Sequence, residues 1–220
     1  MKRKLIAALA LRNQGSRLYG KPLQNLDVEA GTTVLANILA CLRTIECIDE
    51  IVLGISEGIE NAIFSKYAND ENIPFIVGDE IDVLERLIAC GRKANATDIF
   101  RVTSESPFPS YEFVHEAWNR HIAANADATF FDDVVDGCGF EIIKLTTLIE
   151  AHESGEDRHR SELCSLYIRE NVNKFSLQKV DAPAEFNRKN LRLTVDNPED
   201  LVVCKAVFAQ FKDLAPRIPL

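Results

Sequence analysis

Short apolar runs alternate with amphipathic stretches along the first 125 residues, and this alternation restricts the fold more than any other feature of the chain. Residues 5–11 and 51–55 have strand length and are too continuously apolar to leave one face in water, and 74–77 and 99–103 read as a short third strand and a fourth. Between them, residues 34–44, 57–70, a stretch opening at Gly78-Asp79-Glu80, and 111–125 carry helical spacing. Thr33 and Ser110 are placed to cap the first and last of these helices. Short turns join the pieces, so the pattern predicts an α/β fold with a mostly parallel sheet covered by helices on both faces. The second half is less regular, with strands expected at 128–131, 140–144, 175–180 and 191–195, and helices at 146–153 and 161–170. A final helix opens at Asn197-Pro198-Glu199-Asp200, with an Asn cap, Pro at the first position and two acids in the first turn. With no repeat or linker, 1–220 reads as one domain.

Charge is distributed unevenly. The net charge of −9 argues against nucleic acid as a bulk partner. Yet the first 26 residues hold six cations (Lys2, Arg3, Lys4, Arg12, Arg17, Lys21) and no acid, so an anionic ligand belongs there. No apolar run approaches the roughly 18 residues that span a bilayer. Met1-Lys2-Arg3-Lys4 imitates the start of a signal peptide, but the apolar run behind it leads straight into a charged loop, as a first strand does. Six scattered cysteines with no CxxC pair fit reduced, mostly buried thiols and a cytoplasmic protein. His115, His121, His152 and His159 follow no metal-ligand spacing, and Trp118 reads as core.

The loop after the first run, Leu11-Arg12-Asn13-Gln14-Gly15-Ser16-Arg17-Leu18-Tyr19-Gly20-Lys21-Pro22-Leu23, turns through two glycines and three cations. Exposed backbone N–H groups at a strand's end, with Arg and Lys beside them, suit a triphosphate. An ordinary solvated loop is the alternative. The pattern is neither a Walker motif nor a dinucleotide GxGxxG.

Gly15-Ser16-Arg17-Leu18-Tyr19-Gly20-Lys21-Pro22-Leu23 resembles the GS-x-RLPGK-x-L signature of the cytidylyltransferases, in the branch of spore coat polysaccharide biosynthesis protein F, with acylneuraminate and Kdo cytidylyltransferases as cousins. Tyr19 stands where that family usually has Pro, and Gly15-Ser16 sit one residue closer to Arg17. Further segments match in order. Thr103-Ser104-Glu105-Ser106-Pro107 resembles the end of the family's R-V-T-G-D-x-P, with Glu105 in place of the family's metal-binding Asp. Leu193-Thr194-Val195-Asp196-Asn197-Pro198-Glu199-Asp200-Leu201 resembles L-T-x-D-x-P-E-D-L, whose first Asp is the second metal carboxylate. Gly78-Asp79-Glu80-Ile81-Asp82-Val83-Leu84-Glu85-Arg86 resembles the segment bordering the nucleoside, although on the residues alone Asp82 and Arg86 read as exposed helix positions. Asp136-Gly137 with Glu141, and Arg160-Ser161-Glu162 followed by Tyr167-Ile168-Arg169-Glu170-Asn171, resemble segments near the acceptor or the dimer contact.

The resemblance implies a Rossmann-like fold of the nucleotide-diphospho-sugar transferase type, with an acceptor-binding and dimerisation subregion at about 132–190. It implies a CTP-dependent nucleotidyltransferase that makes a CMP-activated sugar acid or related surface-glycan precursor. Arg12, Arg17 and Lys21 are then catalytic, and Leu11, Gly15, Ser16, Ser56, Gly78, Asp79, Asp82 and Arg86 join them around the nucleotide. Mg²⁺ falls to Glu105 and Asp196, the acceptor to Asp136, Glu141, Arg160 and Glu162, and a homodimer is expected. Asp196 has a structural alternative as a helix cap, and Glu105 as a charged residue of a surface turn. Two other functions stay open: transfer from another NTP to a sugar phosphate, and nucleotide sensing without catalysis.

Overall fold

A computed structural model of the chain describes residues 3–15 and 17–220. Its elements run β1 (Leu5–Leu11), β2 (Asn25–Asp27), β3 (Thr32–Thr33), α1 (Val34–Leu42), β4 (Glu50–Ser56), α2 (Ala62–Asp70), β5 (Phe75–Gly78), α3 (Val83–Lys93), β6 (Asp98–Arg101) and α4 (Val114–Ala123). There follow β7 (Ala128–Phe131), β8 (Phe140–Lys144), α5 (Leu145–Ser154), α6 (Leu166–Glu170), β9 (Leu177–Lys179) and α7 (Pro198–Phe211). Seven strands form one sheet in the order β5-β4-β1-β6-β8-β7-β9, while β2 and β3 make a small separate ribbon. β5, β4, β1 and β6 are mutually parallel, and β8 alone runs against its neighbours.

The alternation of side chains along β1 builds two cores. Leu5, Ala7, Leu9 and Leu11 face a layer that includes Leu35 and Ile38 of α1, Phe64 of α2, Trp118 of α4 and Phe208 of α7. Ile6 and Ala8 face Leu84 and Leu87 of α3, Leu148 of α5 and Ile168 of α6. Helices therefore cover both faces, which is why β1 is apolar throughout and β4 carries no polar side chain from Ile51 to Ile55. Thr33 caps α1 by accepting from the Ala36 N–H at 3.1 Å. The six cysteines are free thiols, all buried except the half-buried Cys47, and desolvation pushes Cys41, Cys90, Cys138 and Cys204 up to about 12. No helix among the described residues is long and apolar enough to cross a membrane.

Three local expectations are corrected. Ser110 does not cap α4: its hydroxyl donates to the Cys138 carbonyl at 2.9 Å, and a 3-10 turn at Tyr111–Phe113 precedes the helix. Residues 161–170 are helical only from Leu166, because the Glu162 carbonyl is bonded by the Arg101 side chain at 2.6 Å and not by a helical N–H. Residues 191–195 form no strand. Their backbone bonds two separate neighbours, Leu193 N–H to the Asp136 carbonyl (2.8 Å) and Val195 N–H to the Glu105 carbonyl (2.9 Å), so no ladder develops.

Candidate active site

The chain leaves β1 for β4 and β5 on one side, then returns to β6 on the other. Loops after β1 and β6 therefore part at the carboxyl ends of the strands, opening the crevice in which α/β sheets bind ligands. A cleft of about 690 Å³, open to solvent, lies there. Ala10, Val83 and Leu87 give it apolar wall, while Arg12, Lys21, Arg86, Arg101, Glu105 and Glu162 are its charged lining.

The β1 loop is braced before any ligand arrives. Asn61 accepts from the Asn13 N–H at 2.7 Å, and the Asn13 side-chain amide donates to the Glu60 carbonyl. Gly20 adopts the left-handed conformation (φ 61°) and returns its N–H to the Asn13 carbonyl at 2.9 Å. At Gly15 a Cβ would meet the Leu18 carbonyl oxygen at 2.3 Å. Ser16, assigned to the nucleotide by its motif, lies outside the described residues. Tyr19, the departure from the family's Pro, stands 59% exposed and lines nothing.

This loop meets the segment before α7. Lys21 Nζ donates to Asp196 Oδ1 at 2.7 Å, with the Arg17 guanidinium 3.6 Å from the same oxygen. Arg192 takes Asp196 Oδ2 at 2.8 Å. Asp200 receives the N–H groups of Asp196 (3.1 Å) and Asn197 (2.9 Å), so the capping work at the start of α7 does not occupy Asp196. The backbone bond from Val195 to Glu105 ties the same segment to the β6 loop. Burial opposes ionisation of Asp196, but Lys21, Arg17 and Arg192 override it and hold the carboxyl below its ordinary value. Glu105 moves the other way: burial raises it, Asp196 and Glu162 add repulsion, and Lys21 with the Ser104 hydroxyl offsets only part.

Glu105 and Asp196 thus belong to one charge cluster around Lys21. Among the described residues no group of three or more His, Cys, Asp or Glu could enclose a metal. Two carboxylates beside a phosphate-sized cationic loop instead fit Mg²⁺, which keeps waters and takes further ligands from substrate phosphates.

The nucleoside segment divides. Arg86 is a buried side chain, 2% exposed, and not the surface residue its helical position suggested. Its Nη1 donates to the carbonyls of Leu11 (3.1 Å) and Gly54 (3.0 Å), the Nε has no partner among the described residues, and burial lowers its pKa. Gly78 makes room for it, since a Cβ there would lie 3.0 Å from Arg86 Cγ. Asp82 is likewise not free: it caps α3 through the Glu85 N–H (2.8 Å) and pairs with His152 at 2.7 Å. Asp79 accepts the N–H groups of Ile81 and Asp82, which hold its carboxyl low, and Ser56 is buried against the Glu57 carbonyl. Ser56, Gly78, Asp79 and Asp82 do not line the cleft.

The four acceptor candidates are not gathered either. Glu162 lines the cleft and pairs with Arg12. Asp136 lies 3.3 Å from Arg192, next to Asp196. Glu141 is buried behind Arg101, and Arg160 pairs with Asp157 and the His152 carbonyl away from the cleft. Sequence reasoning missed Asn13, Gln14 and Arg101 as lining and Arg192 as the second partner of Asp196. Arg101 carried a signal, since it directly precedes the Val102-Thr103 of the matched segment.

A mostly parallel sheet with a cationic loop after its first strand and two carboxylates beside it is an α/β fold of the kind that takes ligands at the carboxyl ends of its strands. The fold is that of the cytidylyltransferases. A cytidylyltransferase from Leptospira borgpetersenii superposes with a TM-score of 0.88 at 20% identity, covering 99% of this chain and 91% of that one. The structure of CMP:2-keto-3-deoxy-manno-octonic acid synthetase complexed with CTP gives 0.69 at 14% identity, over 94% and 99% of the two chains. In sequence, the spore coat polysaccharide biosynthesis protein SpsF of Bacillus subtilis is 25% identical over 162 residues, 73% of this chain and 67% of that one. No protein-family model matches.

Proposed function

We propose that the chain transfers a cytidylyl group from CTP to an anionic sugar-like acceptor, releasing pyrophosphate and yielding a CMP-activated sugar acid or related surface-glycan precursor. The observation that carries this reading is the meeting of Lys21 with Asp196 at 2.7 Å beside Glu105, at the carboxyl ends of β1 and β6. The similar solved structure bound to CTP supports the choice of nucleotide.

An acceptor oxygen attacks the α-phosphorus, and the bond to the bridging oxygen breaks as pyrophosphate leaves with the electron pair. Such a step needs positioning and charge neutralisation more than covalent help. Arg12, Arg17 and Lys21 hold the phosphates, exchanging their present carboxylate partners for phosphate oxygens. The braced Asn13–Gly20 turn keeps these cations in place before binding, so little reorganisation accompanies the reaction. Glu105 and Asp196 would hold Mg²⁺, which supplies Lewis-acid stabilisation of charge on the phosphates. Arg86 fixes the ends of β1 and β4 against α3, giving the nucleoside a rigid wall.

The test is pyrophosphate release with Mg²⁺ and each of CTP, UTP, ATP and GTP, against 2-keto-3-deoxy-octonic acid, an N-acylneuraminate and sugar phosphates. Release with CTP and a sugar acid is expected. Release only with another NTP and a sugar phosphate reassigns the substrate class, and binding without release makes the chain a nucleotide sensor.

A further inference from the structure

Arg101 is the one cation of the cleft lining held from behind by a buried carboxylate. It ends β6, and Glu141 lies directly opposite it on antiparallel β8. Arg101 Nη1 donates to Glu141 Oε2 at 3.0 Å, and Nη2 to the Glu162 carbonyl at 2.6 Å. Glu141 is 6% exposed, and its other oxygen is taken by the Ser165 hydroxyl (2.5 Å) and Arg169 Nη2 (2.9 Å). Both carboxylate oxygens are therefore committed, and Glu141 cannot turn to a ligand without taking from Arg101 its one carboxylate partner among the described residues. An arginine carries five N–H donors, and the two bonds given account for two among the described residues. The remaining donors belong to a guanidinium that lines the cleft.

A different element carries it from the one that carries the triphosphate cations. Arg12, Arg17 and Lys21 come from the loop after β1, whereas Arg101 sits on the β6 wall with β8 and the 161–165 segment behind it. Glu105 follows four residues later on the same wall. A group bound at Arg101 is therefore held from the β6 wall and not by the β1 loop, with Glu162 between the two: its carbonyl takes Arg101 and its carboxylate pairs with Arg12.

Resting on the nucleotidyl-transfer reading, we propose that Arg101 receives the oxyanion of the acceptor, a carboxylate or a phosphate, and that Glu141 is its positioning residue. Burial of Glu141 opposes its charge, but Arg101, Ser165 and Arg169 keep it ionised, so the arginine is gripped by a full carboxylate. A guanidinium fork fixed from behind matches a planar oxyanion in front, which a lysine cannot do as well.

The full chain loaded with α,β-methylene-CTP and Mg²⁺, so that the triphosphate loop is filled, is titrated calorimetrically with 2-keto-3-deoxy-octonic acid and with inorganic phosphate. Whichever binds names the oxyanion. Arg101→Gln alone strands Glu141, so the Arg101→Gln/Glu141→Gln double variant is used, and it is expected to lose about tenfold or more of that affinity. Its affinity for the CTP analogue stays within about twofold, because Arg101 is off the triphosphate loop. Glu141→Gln alone weakens the anion by about three- to tenfold, Glu141→Asp recovers most of it, and a residue that served only the fold would move melting temperature but not this order. Equal anion binding by the double variant and the native chain, no binding of either anion to the native chain, or parallel loss of the CTP analogue each overturns the assignment. Anion binding through Arg101 in a chain that does not bind the CTP analogue upholds the anion site and overturns the nucleotidyl-transfer reading instead.

Discussion

Lys21 and Asp196 are separated by 175 positions in the chain and meet at 2.7 Å, with neither side chain more than about a fifth exposed. On the proposed reading, Asp196 occupies Lys21 where a substrate phosphate would, and the pair exchanges partners when a magnesium triphosphate enters.

Lys21→Ala and Asp196→Ala each lower the rate of pyrophosphate release by about a hundredfold or more, the usual effect of deleting one fixed charge at a reacting phosphate. Lys21→Ala also raises KM for CTP, since it removes a phosphate contact. Steady-state kinetics across CTP concentrations check both, and native rates in either variant exclude the proposed site.

Glu105→Gln separates stability from activity. Because burial raises this carboxyl, the folded chain binds a proton more readily than the unfolded one, and ionised Glu105 costs stability as pH rises through its folded value. The variant is therefore expected to melt higher than the native chain at neutral pH without metal, with the gain vanishing at pH values where Glu105 is already protonated. Transfer falls in the same variant. Thermal melts from pH 4 to 8 decide it: an unchanged or lower melting temperature at pH 7 contradicts the account.

Asp98 behaves in the opposite sense. Its carboxylate is fully buried, taking the Thr97 hydroxyl at 2.7 Å, Arg3 Nε at 2.9 Å and His121 Nε2 at 3.1 Å. Burial works against the charge, but His121, Arg3 and Thr97 depress the carboxyl below its ordinary value. The unfolded chain then binds the extra proton, so this stabilisation is complete above the ordinary Asp range and lost as pH falls through the folded value. Asp98→Ala strands Arg3 and His121 and is expected to cost about 3–5 kcal/mol by urea denaturation at pH 7. The loss narrows on acidification.

Gly137 tests how Asp196 is aimed. It has φ 93°, and a Cβ there would approach the Leu193 carbonyl oxygen at 2.8 Å, three residues before Asp196. Gly137→Ala is expected to destabilise the fold by about 1–3 kcal/mol and to impair transfer beyond that loss, because the 191–196 segment shifts. Activity measured well below the melting temperature distinguishes the two effects.

The strands of the first half were legible because burial on both sheet faces leaves an unmistakable mark: every residue of β1 from Leu5 to Leu9 is apolar and inaccessible. The β1 loop, Glu105 and Asp196 were legible through matched motifs. What escaped was set by tertiary partners. Arg86 reads as surface from its place in α3, yet glycines at 54 and 78 admit it to the interior, a pairing that no local spacing encodes. Residues 191–195 have strand chemistry without a strand partner, and Glu162 is drawn out of its helix by Arg101, 61 positions away. The acceptor candidates scattered for the same reason, since Glu141 is defined by Arg101, Ser165 and Arg169 and not by its own neighbours.

The capping of α7 by Asp200 has a consequence for the order in which the site comes into being. The basic turn around Lys21 is synthesised 175 positions ahead of the aspartate it faces. A nascent chain halted at residue 190 carries that turn and lacks its counterweight, so on the proposed reading the site is complete only once α7 docks.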